Sequence, residues 1–383
     1  MRSVLVVGVS TRAAAESAAR AGYAVTALDA FADLDQSPGV RALSMPRDFG
    51  SAFTPLAVAK AAATVDCDAV AYLSNFENHP VAVRALARDR TLLGNPPDVL
   101  RRVRDPFLLS ATLARRGLPS PRTHRDRDAS GHTRWLIKPR RSGGGHGIRA
   151  WQVGAPVPRG YYGQEYVNGT SGSITFAAAG GQVTELGLTR QIVGDAAFGA
   201  DGCAYCGNIL IGAGDPLREH HPQVAGSARA LAEAVAEEFG LVGVNGVDFV
   251  VRDGVAVAVE VNPRYSASME LVERALGFSV FEAHAATCTT GPLPGLAFPS
   301  VPRAVGKSIV YARHDVTCGD TEPWLDDPTV RDVPHPGERI PAGRPVCTVF
   351  AEGAETSTCY EALVRRAAAV YETLESWSVA AAR

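Results

Sequence analysis

Short apolar runs alternate with amphipathic stretches over the first quarter of the chain. The apolar runs are typical of buried strands and stand at residues 3–7, 24–29 and 69–73. Stretches with apolar residues three or four positions apart predict helices at residues 12–21, after Thr54 and at 81–88. Because helices between strands usually join parallel strands, residues 1–95 are predicted to form an α/β lobe on parallel strands.

The next segment combines a helix with several short strands. Residues 98–116 predict one helix that ends at Gly117, so residues 96–120 are expected to link two lobes. Beyond them, short strand-like runs separated by glycine turns predict a small antiparallel α+β lid over residues 121–195.

The remaining chain predicts two further parts. Residues 222–239 form an amphipathic pattern, which indicates a helix with one face in a core. Together with the strands after it, this helix predicts a central antiparallel α+β core over residues 196–298. Strand-like runs and a last amphipathic stretch predict a strand-rich C-terminal lobe over residues 299–383.

One hairpin carries polar residues in a regular pattern. Residues 255–262 alternate strictly, with valines on one face and two alanines, Glu260 and Asn262 on the other. Such alternation predicts a strand with one core face and one face that forms a site. Residues 252–254 fit a three-residue hairpin loop with glycine in the left-handed position, which joins this strand to residues 247–251.

The hairpin loop predicts where Asp248 lies. With a three-residue loop, Asp248 stands opposite Ala258 and diagonal to Glu260 on the same face. Two carboxylates and the amide of Asn262 then converge, and oxygen ligands of this kind suit Mg²⁺ held partly by substrate phosphates. A shift of one residue would move Asp248 to the other face. A solvent-facing hairpin whose acids have no function is the structural alternative.

Basic residues and a glycine-rich loop accompany these acids. Arg264 follows the second hairpin strand, where a guanidinium can pair with the acids or clamp a phosphoryl or carboxylate oxygen. Residues 143–147 form a glycine-rich loop near Lys138, Arg140 and Arg141, and its unhindered N–H groups can cover phosphates. The loop lacks Gly-Lys-Ser/Thr and opens no helix, so it is not a Walker loop. A mobile surface hairpin would show the same pattern.

A dinucleotide site in the first lobe is a rival hypothesis. Asp29 ends the second strand, where a ribose-binding acid would stand. However, Gly8 is a single glycine where the dinucleotide fingerprint has three. The pattern therefore favours Asp29 as a loop residue or substrate contact over an NAD(P)-dependent dehydrogenase.

Bulk composition excludes several functional classes. The 383 residues are 46% hydrophobic and 20% charged with a net charge of -2, so no general basic field exists to attract nucleic acid. No apolar run approaches the length of a membrane span or signal peptide, so a cytoplasmic protein is expected. The seven cysteines have no paired spacing, which indicates a reduced compartment; Cys203 and Cys206 alone could form half of a zinc site or a redox pair.

The order of these motifs resembles a known family. Lys-Pro, the glycine-rich loop, Gln-Glu-Tyr-Val, Gly-Val-Asp-Phe and Glu-Val-Asn-Pro-Arg follow one another as in the ATP-grasp superfamily. The resemblance is strongest to its carboxylate–amine ligases and to predicted carboligases related to biotin carboxylase. It implies the ATP-grasp fold, with the four parts described above arranged around a nucleotide site.

The resemblance also implies roles for individual residues. Lys138 would bind the α- and β-phosphates, and Arg264 would stabilise the transferring phosphoryl group. Mg²⁺ or Mn²⁺ would be held by Asp248, Glu260 and Asn262. The loop over the γ-phosphate and the hinge that holds adenine would be formed by Ser142, Gly143, Gly144, Gly145, His146, Gly147, Gln164, Glu165, Tyr166 and Val167. Substrate contacts are expected from Ser10, Thr11 and Arg12.

Two positions depart from the family pattern. An Asp-Lys pair usually opens the helix before the lid, but here Pro106 follows Asp105, so one phosphate-binding lysine is missing and Arg104 is the candidate to replace it. The acid often found shortly after the hinge is also absent from residues 169–174, so the resemblance assigns no acid to the ribose.

The implied activity is an ATP- and Mg²⁺-dependent ligase that joins a small-molecule carboxylate to an amine or thiol through an acyl phosphate. Cofactor biosynthesis, as in tyramine–glutamate ligases, is one setting that the resemblance offers. A biotin-carboxylase-like carboligase that uses bicarbonate and a nucleotide-binding module without turnover are the alternatives. Many relatives are homodimers, so a homodimer is one expected assembly.

Overall fold

The computed structural model describes residues 2–125, 134–152, 154–220, 222–291 and 301–381. These residues form a five-stranded sheet, a four-stranded sheet, an eight-stranded sheet and a two-stranded ribbon. The predicted boundary between core and C-terminal lobe, at residues 298 and 299, lies outside the described residues.

The N-terminal lobe is the predicted parallel α/β unit. Its five strands are all parallel, in the order β3-β2-β1-β4-β5. The central strand is an uninterrupted buried apolar run, as expected where helices cover both faces of a parallel sheet. Its elements are β1 (Ser3–Val7), α1 (Arg12–Arg20), β2 (Ala24–Asp29), β3 (Val40–Ser44), α2 (Met45–Phe49), α3 (Pro55–Ala62), β4 (Ala69–Tyr72), α4 (Pro80–Leu86) and β5 (Thr91–Leu93).

The predicted helix over residues 98–116 is two helices, so this prediction was wrong. The chain forms α5 (Pro97–Val103) and α6 (Pro106–Arg115). Asp105 caps the second helix, because its side chain accepts hydrogen bonds from two backbone N–H groups of the first turn. Pro106 has no N–H to donate to a continuous helix, which explains the break.

The lid is a small antiparallel sheet in the order β6-β9-β7-β8. Three buried side chains, Trp135, Ile137 and Trp151, form its apolar cluster. The strands are β6 (Thr123–His124), β7 (Trp135–Pro139), β8 (Arg149–Ala150) and β9 (Tyr161–Glu165).

The eight-stranded sheet joins the core to the C-terminal lobe, in the order β14-β13-β10-β11-β12-β15-β19-β17. Its elements, with the ribbon β16-β18, are β10 (Thr170–Ala179), β11 (Gln182–Val193), β12 (Tyr205–Leu210), α7 (Pro216–His220), α8 (Gln223–Phe239), β13 (Gly243–Arg252), β14 (Val255–Asn262), α9 (Met269–Leu276), α10 (Val280–Thr289), β15 (Ala304–Tyr311), β16 (Val316–Thr317), β17 (Val330–Arg331), β18 (Arg339–Ile340), β19 (Pro345–Gly353) and α11 (Thr356–Ala381). The predicted lid range of residues 121–195 thus includes two strands that pair within this larger sheet.

Two long helices cover one face of this sheet. The apolar side of α8 packs against β10, β13 and β14, and α11 packs against β15 and β19. Among the residues that the structure describes, no helix has the length and hydropathy that a membrane crossing requires.

The hairpin register differs from the prediction near its turn. Arg252 pairs with Val255, so the turn has two residues instead of three, and Phe249 pairs with Ala258. This shift would turn Asp248 away from Glu260.

A β-bulge restores the predicted proximity of the acids. The register shifts again beyond Phe249, so that Val259 is the extra residue and Asp248 pairs directly with Glu260. The bulge also divides the face that the alternation assigned to a site. Ala256 and Ala258 pack in the core with α8, whereas Glu260 is partly exposed in the cleft.

Candidate functional site

The paired acids are the centre of the site. Asn262 Nδ2 donates a hydrogen bond to Asp248 Oδ2 at 2.9 Å, so the amide lies beside the carboxylates as predicted. Burial and the neighbouring Glu260 raise the pKa of Asp248 to about 6. Two carboxylates that share a partly buried surface create a local excess of negative charge, which a cation would neutralise.

Two cations face Glu260 from different elements. Arg104 Nη1 donates to Glu260 Oε1 and, at 2.9 Å, to the backbone oxygen of Val261. Lys138, on β7 of the lid, is buried and donates to Gln164 Oε1 at 3.1 Å. Burial would raise the pKa of Glu260, but the charges of Arg104 and Lys138 more than offset this and keep the pKa below its usual value.

A cleft between the lid and the core brings these groups together. It is lined by the junction of α5 and α6, by β7 and the loop after it, and by the bulged part of β14. Of the predicted nucleotide-binding residues, Lys138, Ser142, Gly143 and Gly145 line this cleft, and so does Glu260.

The glycine-rich loop lies against both neighbouring lobes. The Ser142 backbone oxygen accepts hydrogen bonds from Asn78 Nδ2 and Arg104 Nη2, each at 3.2 Å. The Gly144 oxygen accepts from the backbone N–H of Tyr205 on β12 at 3.1 Å. Within the loop, Ser142 Oγ donates to the backbone oxygen of His146 at 2.6 Å, while Gly144, Gly145 and Gly147 have positive φ.

Gly145 is the point of closest approach between this loop and the core. A Cβ atom there would lie 1.7 Å from the backbone oxygen of Cys203, and the residue has a φ of +79°. Only glycine combines that backbone conformation with this contact.

The predicted hinge has one buried polar side chain, Gln164, and one partly exposed acid, Glu165. Gln164 accepts from Lys138 and donates to the backbone oxygen of Val259 at 3.3 Å, which ties the lid to the bulge. Glu165 instead pairs with Arg122 at 3.1 Å and with Arg252 at 3.5 Å. Tyr166 packs beneath the guanidinium of Arg134, and Val167 is buried.

Arg264 is held beside the acids by two partners. Its Nη2 donates to Asn262 Oδ1 at 3.2 Å, and its Nε lies 2.9 Å from Glu77 Oε1. Glu77 is 1% exposed and comes from the N-terminal lobe, so Arg264 joins that lobe to the hairpin.

Sequence patterns did not identify Glu77 and Asn78 as site residues. Both lie on a 3-10 turn, Phe76–Asn78, in the loop that follows β4. The carboxyl ends of parallel strands are the usual ligand-binding edge of such a sheet. Polar residues immediately after a buried strand were therefore the signal that could have found them.

The three predicted substrate residues do not form one open group. Ser10 is exposed. Thr11 donates from its N–H and hydroxyl to Asp29 Oδ2, at 2.9 and 2.6 Å. Asp29 also accepts from two backbone N–H groups of the following loop, so it organises that loop.

Arg12 is engaged by carboxylates of its own chain. It is 1% exposed and pairs with four acids from three parts of the chain. The N···O distances are 2.7 Å to Asp332, 2.9 Å to Glu270, 3.2 Å to Glu16 and 3.4 Å to Asp35. These contacts join α1 to α9 and to the C-terminal lobe.

The donor set near the acid pair fits Mg²⁺. Within the described ranges, no group of three or more His, Cys, Asp or Glu residues could hold a metal ion by itself. Asp248, Glu260 and Asn262 supply two carboxylates and an amide, the oxygen set expected where phosphates complete the coordination.

Cys206 is buried and donates from Sγ to the Ile192 oxygen, and neither it nor Cys203 forms a disulfide.

Comparison with known proteins identifies the class. Residues 103–268 match the family model of the ATP-grasp domain, and this range contains Lys138, the glycine-rich loop and the hairpin acids. Residues 103–268 are therefore an ATP-grasp domain, and the prediction of an ATP-grasp α/β fold is confirmed. No curated protein sequence matches the chain.

Solved structures share the fold over nearly the whole chain. The L-amino acid ligase of Bacillus licheniformis is 15% identical, with 96% of this chain and 97% of that chain covered and a TM-score of 0.66. The biotin carboxylase domain of Hydrogenobacter thermophilus 2-oxoglutarate carboxylase, a dimer with MgADP, ADP and bicarbonate, is 15% identical over 97% and 90%, with a TM-score of 0.67. N5-carboxyaminoimidazole synthetase of Staphylococcus aureus, with ADP, is 13% identical over 96% and 97%, with a TM-score of 0.68.

Proposed function

We propose that this protein is an ATP- and Mg²⁺-dependent ligase that activates a small-molecule carboxylate as an acyl phosphate and transfers the acyl group to an amine. The observation that carries the proposal is the direct pairing of Asp248 with Glu260, which lines the same cleft as Lys138. Arg264 lies beside this pair through its hydrogen bond to Asn262. Phosphoryl transfer needs mainly positioning and neutralisation of charge, and this cleft supplies groups for both.

Each element of the cleft has a proposed role. Asp248, Glu260 and Asn262 hold Mg²⁺ or Mn²⁺, which neutralises phosphate charge when it is bound. Lys138 and Arg104 bind phosphate oxygens from opposite sides, and Arg264 stabilises the transferring group. Two residues from the lid, Gly143 and Gly145, cover the phosphates with their backbone and exclude water.

The hinge and the first lobe complete the proposal. Gln164 and the backbone of Glu165, Tyr166 and Val167 hold the adenine. Ser10 is the substrate candidate that remains accessible, because Thr11 and Arg12 are engaged by acids of the chain. The substrates are small molecules, the protein acts in the cytoplasm, and a homodimer is its proposed assembly.

Related folds support two acceptor chemistries. The similarity to the L-amino acid ligase supports an amine as the acceptor. The biotin carboxylase domain was solved with bicarbonate, which supports bicarbonate as the alternative substrate. A carboligase that uses bicarbonate is therefore the second candidate function. A module that binds nucleotide without turnover is a third, because Pro106 replaces the family's lysine.

One experiment separates these candidates. ADP release is measured with Mg-ATP across pools of carboxylates, with and without amines, and with bicarbonate; hydroxylamine is added to trap acyl phosphates as hydroxamates. We expect carboxylate-dependent ADP and hydroxamate. ADP that depends on bicarbonate alone would favour the carboligase, and nucleotide binding without ADP release would favour the module.

Two variants tie turnover to the proposed metal site. Glu260→Gln should abolish ADP release while the thermal midpoint stays close to that of the wild type. Glu238→Gln changes a partly exposed acid on α8, outside the cleft, in the same way and should keep full activity. Full activity in Glu260→Gln would contradict the proposed metal site.

A further inference from the structure

A second cavity lies on the face of the eight-stranded sheet that is opposite the acid pair. Its volume is about 260 Å³, and it is lined by residues of β10, β11 and β13, of α7 and of the first turn of α8. Gly172 pairs with Phe249 beneath the cavity, and the adjacent pair, Ser173 and Asp248, points to the other face. One layer of sheet therefore separates this cavity from the proposed metal site.

The walls of this cavity are mainly apolar. Leu188, Ile211, Val224, Phe249 and Val251 line it, and none of them is more than 8% exposed. A cavity of 150 Å³ holds benzene, so this one has room for roughly ten non-hydrogen atoms.

Two arginines also line the cavity, and neither forms an ion pair within the described part of the chain. Arg190 lies on β11, with its guanidinium 5.8 Å from the centre of the Tyr360 ring. Arg218 lies on α7, and its Nε is buried without a hydrogen-bond partner. Glu185 is near Arg218 but beyond ion-pair distance, and burial raises the pKa of this acid.

The two arginines and the apolar walls together favour one chemical class of ligand. A guanidinium stays charged at any physiological pH, and an unpaired buried donor destabilises the protein unless a ligand satisfies it. The N-terminal end of α8 adds a positive dipole on the same side of the cavity. Apolar walls exclude a strongly hydrated ion such as free phosphate, whereas a carboxylate with a hydrocarbon body satisfies both the walls and the arginines.

We propose that this cavity is a second ligand site, which binds a small carboxylate with an apolar body of about ten non-hydrogen atoms. The carboxylate lies between Arg190 and Arg218, and the hydrocarbon packs against Leu188, Val224 and Phe249. The site is independent of the nucleotide cleft and of the reaction proposed above.

Isothermal titration of octanoate into the full chain tests this site, with 1-octanol as the uncharged analogue of equal length. We expect octanoate to bind with a stoichiometry of one and 1-octanol to bind at least tenfold more weakly. Arg190→Gln and Arg218→Gln should each weaken octanoate binding about tenfold, since a charge-assisted hydrogen bond is lost. Arg229→Gln, an exposed arginine on α8, is the matched control and should leave the affinity unchanged.

Three results would overturn the proposal: no binding at millimolar octanoate, equal binding of 1-octanol, or equal weakening by Arg229→Gln. The location of the octanoate site is tested separately, with protein that is saturated by Mg-AMP-PNP. This saturated protein should bind octanoate with the same affinity as the protein without nucleotide. Displacement of octanoate by the nucleotide would place it in the other cleft and contradict the assignment. A cooperative thermal transition of each variant without octanoate, near the midpoint of the wild type, shows that the variant is folded.

Discussion

Arg104 donates a hydrogen bond to Glu260 across 156 positions of sequence, and so joins the end of α5 to the bulged strand β14. The contact exists because Pro106 ends α5 early and leaves Arg104 at the helix terminus, facing the cleft. The same guanidinium reaches the Ser142 oxygen of the glycine-rich loop. The arginine thus stands where lid, linker and metal site meet.

Substitution of Arg104 tests whether it replaces the missing lysine at position 106. Arg104→Met should raise the KM for ATP or lower kcat by about ten- to a hundredfold, because a charged hydrogen bond contributes roughly 1.5–3 kcal/mol. Arg104→Lys should keep part of the activity. Steady-state ADP release measures both, with Arg102→Met on the same helix as control. Equal effects of Arg104→Met and Arg102→Met would count against this role.

Gly145 should be required for closure of the lid. Gly145→Ala places a Cβ against the Cys203 oxygen and strains a residue with positive φ, at roughly 1–2 kcal/mol for the backbone alone. We expect kcat/KM for ATP to fall at least about tenfold. A Cβ at Gly143 would lie in open space, and this residue has no positive φ. Gly143→Ala should therefore reduce kcat/KM clearly less than Gly145→Ala. Similar losses at the two positions would refute the proposed docking of the loop.

Arg12 should stabilise the fold instead of binding substrate. Arg12→Met leaves several buried carboxylates without their cation, and removal of one partner from a buried pair typically costs about 3–5 kcal/mol. The free energy of unfolding, measured by urea without any substrate, should fall by that order. Arg84→Met, at an exposed position on α4, is the control. A change below about 1 kcal/mol, as for a surface ion pair, would show that Arg12 is free for another role.

His284 should make stability depend on pH. It is 2% exposed, accepts at Nδ1 from the Val244 N–H at 2.9 Å, and contacts the Leu93 oxygen through Nε2 at 3.1 Å. Burial lowers its pKa to about 4. In the unfolded chain the pKa is about 6.5, so the unfolded state takes up the proton first as the pH falls.

The contribution of His284 is therefore complete above about pH 6.5 and is lost as the pH falls toward 4, by roughly 3 kcal/mol in total. Urea titrations at several pH values should show a steeper decline for the wild type than for His284→Gln. His314→Gln, at an exposed position, should decline like the wild type. Parallel curves for the wild type and His284→Gln would contradict the assignment.

Local patterns predicted the parallel lobe, the lid strands and the hairpin, because the spacing of apolar residues and the positions of glycine turns depend on residues close together in sequence. They failed where one residue changes the geometry. The bulge at Val259 has no signal in the alternation, and only the paired strand β13 shows it. The split at Pro106 was visible in the sequence, since proline followed a capping aspartate.

Partners distant in sequence could not be predicted from one chain. Arg12 meets Asp332, and Glu77 meets Arg264, only after the lobes pack. The family resemblance placed Arg12 near substrate together with Ser10 and Thr11, and the charge of an arginine does not by itself distinguish a ligand contact from an ion pair. Burial and the list of partners are what separate a structural ion pair from a binding group.

Binding of the metal–nucleotide complex is the most direct test of the metal site formed by Asp248 and Glu260. Mg-AMP-PNP is titrated calorimetrically into the wild type, Asp248→Asn, Glu260→Gln and the α8 control Glu238→Gln, each with and without EDTA. We predict Mg²⁺-dependent binding that each cleft substitution weakens at least about tenfold, which corresponds to 1.4 kcal/mol, and that the control leaves unchanged. Binding of equal affinity in all four proteins, or binding indifferent to EDTA, would show that Asp248 and Glu260 do not hold the metal.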